Sequence, residues 1–580
     1  MNYCNTSRYR NGIMVSLKKR LLTAFDYPSR CLFMTFGFRR WFSTTLAKLI
    51  NCNSCGIKLQ NENPKAIGYY IKPKKPTINK LQSLEDVKYL LFSQEVQHVK
   101  EQQDVGSLEE LKESMDTPLI CKRCNDALHK NQYDLKEFGR YTVADVLEKI
   151  PRGSNVLHIV PLPEFPFHFE KSLLEVPHFN TSLLLTKGDQ LAKDKSTLQR
   201  RALPFFKDFF RYQLNIITNK TVTVSAMKKW NIPSAYAAMN ANTYLVGDAN
   251  VGKSTLINSL MQRYLGYKIH TDRKGQIVTP EPNAKDLKNI KQFFRNQSAG
   301  VSHIPNMTRN LQGYRVGDKF IYDLPGFTTD INGVYYEDII QKDWLERTRK
   351  TEKFDTKKLK KQRYDSVKGT EKGNCYTLGG IFFWRPAAGT VNQIISYIPG
   401  EGREFGNIDR GLEVFRACKD DTHPLAKFCG VLPHICQKEN YVRHIIPPFQ
   451  GSIEVVLKNI GYVVIKTTGK YQFRGLHEFW VPRGIDILVR EPLELLISEG
   501  FWQHSESKGK IPACPKNRPI VSSTYIMDPE ESDLLGKMKE MYLERTSNDI
   551  SSRRFLYADP LEVVSKLHEE RPNLYWYYGW

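Results

Sequence analysis

Tyr244-Leu-Val-Gly-Asp-Ala-Asn-Val-Gly-Lys-Ser-Thr255 reads as a strand, a tight glycine loop and the start of a helix. Within it, Gly247-Asp248-Ala249-Asn250-Val251-Gly252-Lys253-Ser254 has the spacing G-x-x-x-x-G-K-S and runs on into Thr255. Gly247 and Gly252 let the backbone turn sharply and bring its N–H groups against a polyphosphate. Lys253 sets a point charge on the outer phosphates, and the Ser254 hydroxyl can ligate Mg²⁺. The helix that follows aims its positive end at the anion. A chance glycine turn would lack these flanks: residues 243–246 suit a short buried strand, and 255–260 continue as a helix.

Working outward, residues 140–240 alternate strands and helices. Strands are expected at 155–160, at 181–185 and at 221–224, with a crossover helix at 199–214 and a short helix at 233–239. The second strand ends in Thr186-Lys187-Gly188-Asp189, the third in Ser225-Ala226-Met227-Lys228. Strand ends facing one way are where open α/β sheets bind ligands. Asp189 can accept from the N1–H and the exocyclic amine of guanine, a donor pair that adenine lacks. The Lys187 stem can lie over the base, and the backbone of Ser225 and Ala226 can meet the base oxygen. Beyond the phosphate loop, strands at 311–316 and 319–322 lead into Asp323-Leu324-Pro325-Gly326. Thr308 can reach Mg²⁺ once a γ-phosphate orders its loop, Asp323 can hold the metal through its water shell, and the Gly326 N–H can touch the γ-phosphate. The expected ligands are GTP or GDP with Mg²⁺.

A chain of 580 residues exceeds one core, and its formal charge of +23 suits a polyanionic partner such as RNA or an anionic membrane surface. No apolar run reaches the roughly 18 residues of a membrane span. Residues 1–42 hold Arg8, Arg10, Lys18, Lys19, Arg20, Arg30, Arg39 and Arg40 against Asp26, the composition of a mitochondrial transit peptide, with Arg40-Trp-Phe-Ser43 placing a cut after Phe42. The other reading is a basic arm that binds RNA directly.

Cys52-Asn-Ser-Cys55 and Cys121-Lys-Arg-Cys124 can each give two thiolates to one Zn²⁺, which four cysteines complete. A redox pair or unpaired thiols are the alternatives, and His129 reads as a surface residue. The segment between the pairs, with Lys72–Lys75 and a polar run at 81–111, reads as an insertion, as does 264–300. Residues 342–372 mix Lys and Arg with acids, either a solvated helix or an RNA contact. From 379 onward short β-branched and aromatic runs at 381–384, 452–458, 462–467, 478–482 and 485–489 make a β-rich domain. Cys418, Cys429, Cys436, His423 and His434 fit no metal spacing and read as packing. Helices are expected at 528–544 and 560–569, and the aromatic tail 575–580 reads as docked on the fold. The division is then a leader at 1–42, a zinc module with insertion at 43–135, a GTPase domain at 136–335, a basic linker at 336–378 and a carboxy-terminal β-rich α+β domain at 379–580.

The order of the motifs is unusual. An ordinary GTPase carries the phosphate loop first and the guanine motif late, whereas here 186–189 and 225–228 precede 247–254, Thr308 and 323–326. The chain therefore resembles the circularly permuted GTPases. Cys52-Asn-Ser-Cys-Gly-Ile-Lys-Leu-Gln60, Gly68-Tyr69 and Cys121-Lys-Arg-Cys124 resemble the amino-terminal zinc finger of the bacterial YqeH family, and the leader suggests a fungal mitochondrial member. The resemblance implies a monomeric matrix GTPase that binds the small mitochondrial ribosomal subunit or its rRNA as an assembly factor. It also leaves a second reading, a nucleotide-dependent scaffold in peripheral contact with the inner membrane and tied to prohibitins and lipid metabolism.

Two departures from the family pattern stand out. Thr186 replaces the Asn of N-K-x-D, and Pro161-Leu162-Pro163 stands where relatives often carry Asp. Phe327 occupies the place of the Gln that orients water in Ras-like enzymes. Asn250 then resembles the phosphate-loop Asn of K⁺-using GTPases. On this reading Asn250, Lys253, Thr308 and Gly326 carry hydrolysis, with K⁺ as a further cofactor. The other reading of Asn250 is a local loop bond.

Overall fold

The computed structural model describes residues 51–71, 119–133, 140–264, 299–328, 338–349, 364–545 and 550–569, with short gaps at 131, 134–139, 219, 302–306, 419–422, 448, 450, 469–474, 517–518 and 546–549, and two short strands at 270–271 and 277–278. The leader and its cut, the run at 81–111, most of the 264–300 insertion, residues 350–363 and the tail at 575–580 lie outside the described residues. The described residues belong to one compact unit. Among the described residues no helix is long and apolar enough to cross a membrane.

The nucleotide-motif region is built on one six-stranded sheet. Its strands are β1 (Asn155–Pro161), β2 (Asn180–Thr186), β3 (Thr221–Thr223), β4 (Asn242–Val246), β7 (Gln312–Val316) and β8 (Lys319–Asp323), in the order β3-β2-β1-β4-β8-β7. The first five in that order run parallel, and β7 returns antiparallel along β8. β5 (His270–Thr271) and β6 (Ile277–Val278) form a separate hairpin. β1 and β2 are almost wholly buried, with apolar runs at Val156–Leu157, Ile159–Val160 and Leu183–Leu185, because helices cover both faces, as parallel sheets require. One face carries the helices Ile232–Ala238 and Lys253–Tyr264, and the other Leu203–Gln213. The expected crossover helix at 199–214 begins with a π-helical turn, Leu198–Ala202.

The carboxy-terminal region is a sandwich of two antiparallel sheets. One sheet contains β10 (Cys375–Leu378), β11 (Phe383–Arg385), β13 (Gly402–Phe405), β14 (Tyr441–Ile446), β17 (His477–Pro482) and β20 (Tyr525–Met527). The other contains β9 (Tyr364–Lys368), β12 (Val391–Ser396), β15 (Gly451–Leu457), β16 (Gly461–Thr468), β18 (Ile487–Arg490) and β19 (Val521–Ser522). Val455, Val463 and Val489 face the first sheet, alongside Phe479 and Trp384. Their alternates Val456, Tyr462 and Leu488 face away, onto Phe165 and Phe205, Phe206, Phe209 and Phe210 of the nucleotide region. Strands with period-two side chains and both faces apolar must be covered on both sides. The second sheet is thus the middle layer between its partner sheet and the sheet that bears the phosphate loop.

The basic linker expected at 336–378 is corrected. Ile339, Ile340, Trp344 and Leu345 are core, the last two on the helix Lys342–Arg349, and β9 and β10 are integral strands. The abundant Lys and Arg of this stretch hid a sparse but regular apolar set.

Candidate functional site

The four motif-bearing strands β2, β3, β4 and β8 all end on one edge of the sheet, so loops distant in sequence meet there. They surround a cavity of about 320 Å³. Of the residues that the sequence singles out, Thr186, Lys187, Asp189, Ala226, Ala249, Asn250, Val251, Gly252, Lys253, Ser254, Thr255, Thr308, Leu324 and Gly326 line it.

Gly252 adopts φ +102°, a conformation closed to most side chains. At Gly326 a Cβ would lie 2.6 Å from the Ala249 Cα, so only glycine lets this loop touch the phosphate loop. Lys253 is buried at the start of its helix, and its Nζ donates to the carbonyls of Gly247 and Asp248, both at 2.8 Å. Burial pulls this ammonium below its ordinary pKa, against the pull of Asp323 and Asp248. Ser254 Oγ donates to Asp323 Oδ2 at 2.9 Å. Burial raises the Asp323 pKa against Lys253 and Ser254, and its Oδ1 is buried with no hydrogen-bond partner among the described residues. A hydroxyl, a second hydroxyl at Thr308 and an unsatisfied carboxylate oxygen at one point form an oxygen donor set that fits Mg²⁺.

At the base end, Ser225 Oγ donates to Asp189 Oδ1 at 2.5 Å and accepts from the Lys228 N–H at 3.1 Å. The Ser225 N–H is committed to the Trp230 carbonyl at 3.2 Å. Ser225 therefore holds the Asp189 carboxylate, and only Ala226 of the expected backbone pair lines the cavity. Thr186 Oγ1 donates to the Val251 carbonyl at 2.6 Å, so the threonine ties the guanine motif to the phosphate loop.

Gly247, Asp248, Asp323 and Pro325 do not line the cavity. Asp248 is buried behind the loop, where its Oδ1 accepts the Ala249 N–H at 2.7 Å and its Oδ2 meets His168 Nδ1 at 2.7 Å. Phe327 is buried in a cluster with Val146 and Leu324 and is bridged through its backbone to Asp248. Asn250 holds φ +61°.

Sequence reasoning missed part of the wall. Pro161, Pro163, Glu164 and His168 line the cavity from the loop after β1, and Tyr397 with Asn459 to Tyr462 line it from the carboxy-terminal sandwich. Glu164 and His168 stand four residues apart, but a lone E-x-x-x-H in a Pro/Phe-rich loop carries no motif.

The four cysteines of the two C-x₂-C pairs are buried together, with sulfurs within 4.8 Å of one another. Cys55 Sγ and Cys121 Sγ are 3.9 Å apart. A tetrahedral metal with Zn–S of about 2.3 Å would set sulfurs about 3.8 Å apart. Among the described residues this is the one such group of His, Cys, Asp or Glu that could hold a metal. His129 is exposed outside it, and Cys418 Sγ lies 3.2 Å from His423 Nδ1 without forming such a group.

The family model described as 50S ribosome-binding GTPase matches residues 242–365. Models for the N-terminal and C-terminal domains of Genetic interactor of prohibitins 3 match 51–138 and 362–566. The mitochondrial Genetic interactor of prohibitins 3 of Zygosaccharomyces rouxii is 86% identical over 97% of this chain and 100% of its own length. Those of Vanderwaltozyma polyspora and Saccharomyces cerevisiae are 50% and 48% identical, each over 93% of this chain and 98% of their own. The crystal structure of YjeQ from Thermotoga maritima matches 36% of this chain and 56% of its own, at 17% identity and a TM-score of 0.18, a level that says nothing further about this chain. With full-length relatives at such identity, and with a GTPase domain on the sheet that carries the cavity, the chain belongs to the mitochondrial Genetic interactor of prohibitins 3 family.

Proposed function

We propose that this chain is a circularly permuted GTPase of the mitochondrial matrix that acts in assembly of the small mitochondrial ribosomal subunit. One observation carries the permuted reading. The guanine motif after β2 and the phosphate loop after β4 flank β1 on a single sheet edge, although the guanine motif comes first in the chain. Asp189, held by Ser225, selects guanine. Lys253 and the loop amides bind the phosphates, and Ser254, Thr308 and Asp323 would hold Mg²⁺, which neutralises phosphate charge when bound. The four cysteines would hold a structural Zn²⁺.

Phe327 is buried away from the cavity and has no polar group, so it cannot orient water. Asn250 lines the cavity, and its buried Nδ2 has no hydrogen-bond partner among the described residues, so this amide nitrogen is not spent on its own loop. The K⁺ reading of Asn250 rests on its place in the phosphate loop and on the missing polar group at Phe327. The small-subunit reading rests on the family resemblance and on the net charge of +23, whereas the matching GTPase model is described as 50S ribosome-binding.

Sedimentation of mitochondrial lysate separates the two subunits. Co-migration with small-subunit particles in a GTP-dependent manner is expected. Migration with large-subunit particles, or at the top of the gradient in every nucleotide state, would overturn the assignment.

A further inference from the structure

Behind the phosphate loop lies a buried charged cluster that a GTP site does not require. His168 sits at its centre, with Nδ1 2.7 Å from Asp248 Oδ2 and Nε2 2.7 Å from Glu164 Oε2. Both partners are carboxylates, so both ring nitrogens act as donors and the ring is an imidazolium. Glu164 Oε2 also accepts the backbone N–H of Asn459 at 2.9 Å. Asn459 holds φ +65° in the tight turn between β15 and β16, in the carboxy-terminal sandwich, and this turn lines the nucleotide cavity. Lys458, beside it, pairs with Asp486 at 3.8 Å and helps hold Asp248 ionised.

The path is short: phosphate loop, Asp248, His168, Glu164, turn. At its near end, Lys253 Nζ donates to the Asp248 carbonyl, and Asp248 Oδ1 fixes the Ala249 N–H. A shift of either group toward a phosphate is therefore felt at Asp248. The loop that carries Glu164 and His168 is itself anchored in the sandwich. Fully buried Arg490 donates from Nε to Glu454 at 2.6 Å, from one terminal nitrogen to the Pro163 carbonyl at 2.8 Å, and from the other to the Phe165 carbonyl. Buried ions are costly unless each partner is in place, so this joint tolerates few intermediate geometries.

We propose that Glu164 and His168 form a coupling joint through which the β15–β16 turn of the carboxy-terminal sandwich closes on, and reads, the bound guanine nucleotide. His168 positions Asp248, and Glu164 positions the turn. This rests on the nucleotide reading above and adds to it the element that receives the signal.

Amide hydrogen exchange on the full chain tests the joint, without nucleotide and with saturating GDP or a non-hydrolysable GTP analogue. Nucleotide is expected to slow exchange about tenfold at 457–462 as well as at 247–254. In Glu164→Ala, with 247–254 still protected at saturation, protection at 457–462 is expected to fall to about threefold or less. Glu164→Gln, whose amide oxygen can accept from both His168 and Asn459, is expected to restore it. Protection confined to 247–254 in the wild type would overturn the joint while leaving the nucleotide reading intact. Protection of neither segment would overturn both. Equal protection at 457–462 in wild type and Glu164→Ala would remove Glu164 from the path. Should Glu164→Ala fail to fold, the wild-type comparison alone still decides whether the turn reads the nucleotide.

Discussion

The nucleotide site is held from two sides, and the two attachments use opposite chemistry. On the cysteine side the contacts are mostly main-chain, joined by the Arg123 guanidinium, which donates to the Met307 carbonyl at 3.5 Å and stays charged at any ordinary pH. The N–H groups of Arg309 and Asn310 donate to the Cys55 carbonyl at 3.0 and 3.3 Å, and Met307 Sδ packs 3.8 Å from Cys124 Sγ. Thr308 is thereby fixed between two residues that touch the knuckle. On the carboxy-terminal side the contacts are ions: Asp248, His168 and Glu164 are buried, and the Lys458–Asp486 pair beside them is half-buried. A neutral backbone contact keeps its strength over a wide pH range but depends on the local fold that presents it. A buried ionic joint depends on protonation, and losing one partner strands the others. The Thr308 loop should therefore respond to metal, and the phosphate loop to protons.

The largest effect is expected from breaking the first attachment. On the proposed zinc reading, metal binding supplies much of the folding free energy of this small cysteine module, whose other buried apolar residues are Leu59, Ala127, Tyr133 and Met307. Cys52→Ser or Cys124→Ser should release the metal, unfold the knuckle and free the Thr308 loop. Elemental analysis should give about one zinc per wild-type chain, and hydrogen exchange at 307–310 should rise in the variants. Zinc-free wild-type protein, purified under reducing conditions with 307–310 still protected, would dissolve the contrast on this side.

Next in size is Asp189→Asn, which touches neither attachment and so calibrates both. Exchanging the carboxylate for an amide removes two charge-assisted hydrogen bonds to guanine, a cost of about 3 kcal/mol. Affinity should shift from GTP toward xanthosine triphosphate, with protection at 307–310 and 457–462 unchanged in the absence of nucleotide. Unaltered GTP affinity would show that this carboxylate does not read the base.

How legible all this was in the sequence follows the same division. The placement of the phosphate loop, Asp189 and Asp323 at one sheet edge could be read because each falls on a contiguous motif at a strand end. The bond from Thr186 to the phosphate loop matches what a hydroxyl can supply in place of Asn. The cysteine pairs were legible because metal spacing is regular. The joint was not. His168 and Glu164 acquire meaning only when Asp248 and Asn459 arrive from two other parts of the chain. Nor was the middle sheet legible as a bridge: Val455 and Val456 look alike in sequence, yet one packs into the sandwich and the other onto the nucleotide region. At Trp344 and Leu345 local charge hid a buried face, and the stretch read as a linker.

A smaller effect is expected at Asn250, which sits on the phosphate loop and so on the ionic side. Hydrolysis should be slow in Na⁺ and several-fold faster in K⁺, and Asn250→Ala should abolish the difference while leaving most GTP binding. Equal rates in both salts, with and without a ribosomal particle, would leave a partner-supplied group as the better account.

The smallest effect separates the two attachments most directly, because it uses protons alone. Burial lowers the His168 pKa, but Asp248 and Glu164 outweigh burial and hold it above its ordinary value; Lys458, Asp486, Lys253 and His158 are the other charged or titratable groups nearby. A histidine whose folded pKa is raised contributes stability that is complete below its unfolded value of about 6.5 and is lost as pH climbs through the folded value. Asp248 works at the other edge: its folded pKa is depressed, since His168 outweighs burial, so its contribution is lost only as pH falls through that lowered value. His158, pushed down to about 4 by burial, also penalises the fold on the acid side, because the unfolded chain takes up its proton first. Loss of stability just above neutral pH is thus assigned to His168 and not to these groups; buried thiols such as Cys375, pushed up to about 12 by burial, add an alkaline loss only as pH climbs past the ordinary thiol value. The melting temperature of the wild type should decline as pH rises above about 6.5, by a few degrees at most for a single titration. His168→Gln should start lower and decline less, with exchange at 457–462 already fast at pH 6.5 while 307–310 stays slow. Parallel pH profiles for wild type and His168→Gln would mean that the alkaline edge lies elsewhere, and that the carboxy-terminal attachment does not depend on the imidazolium.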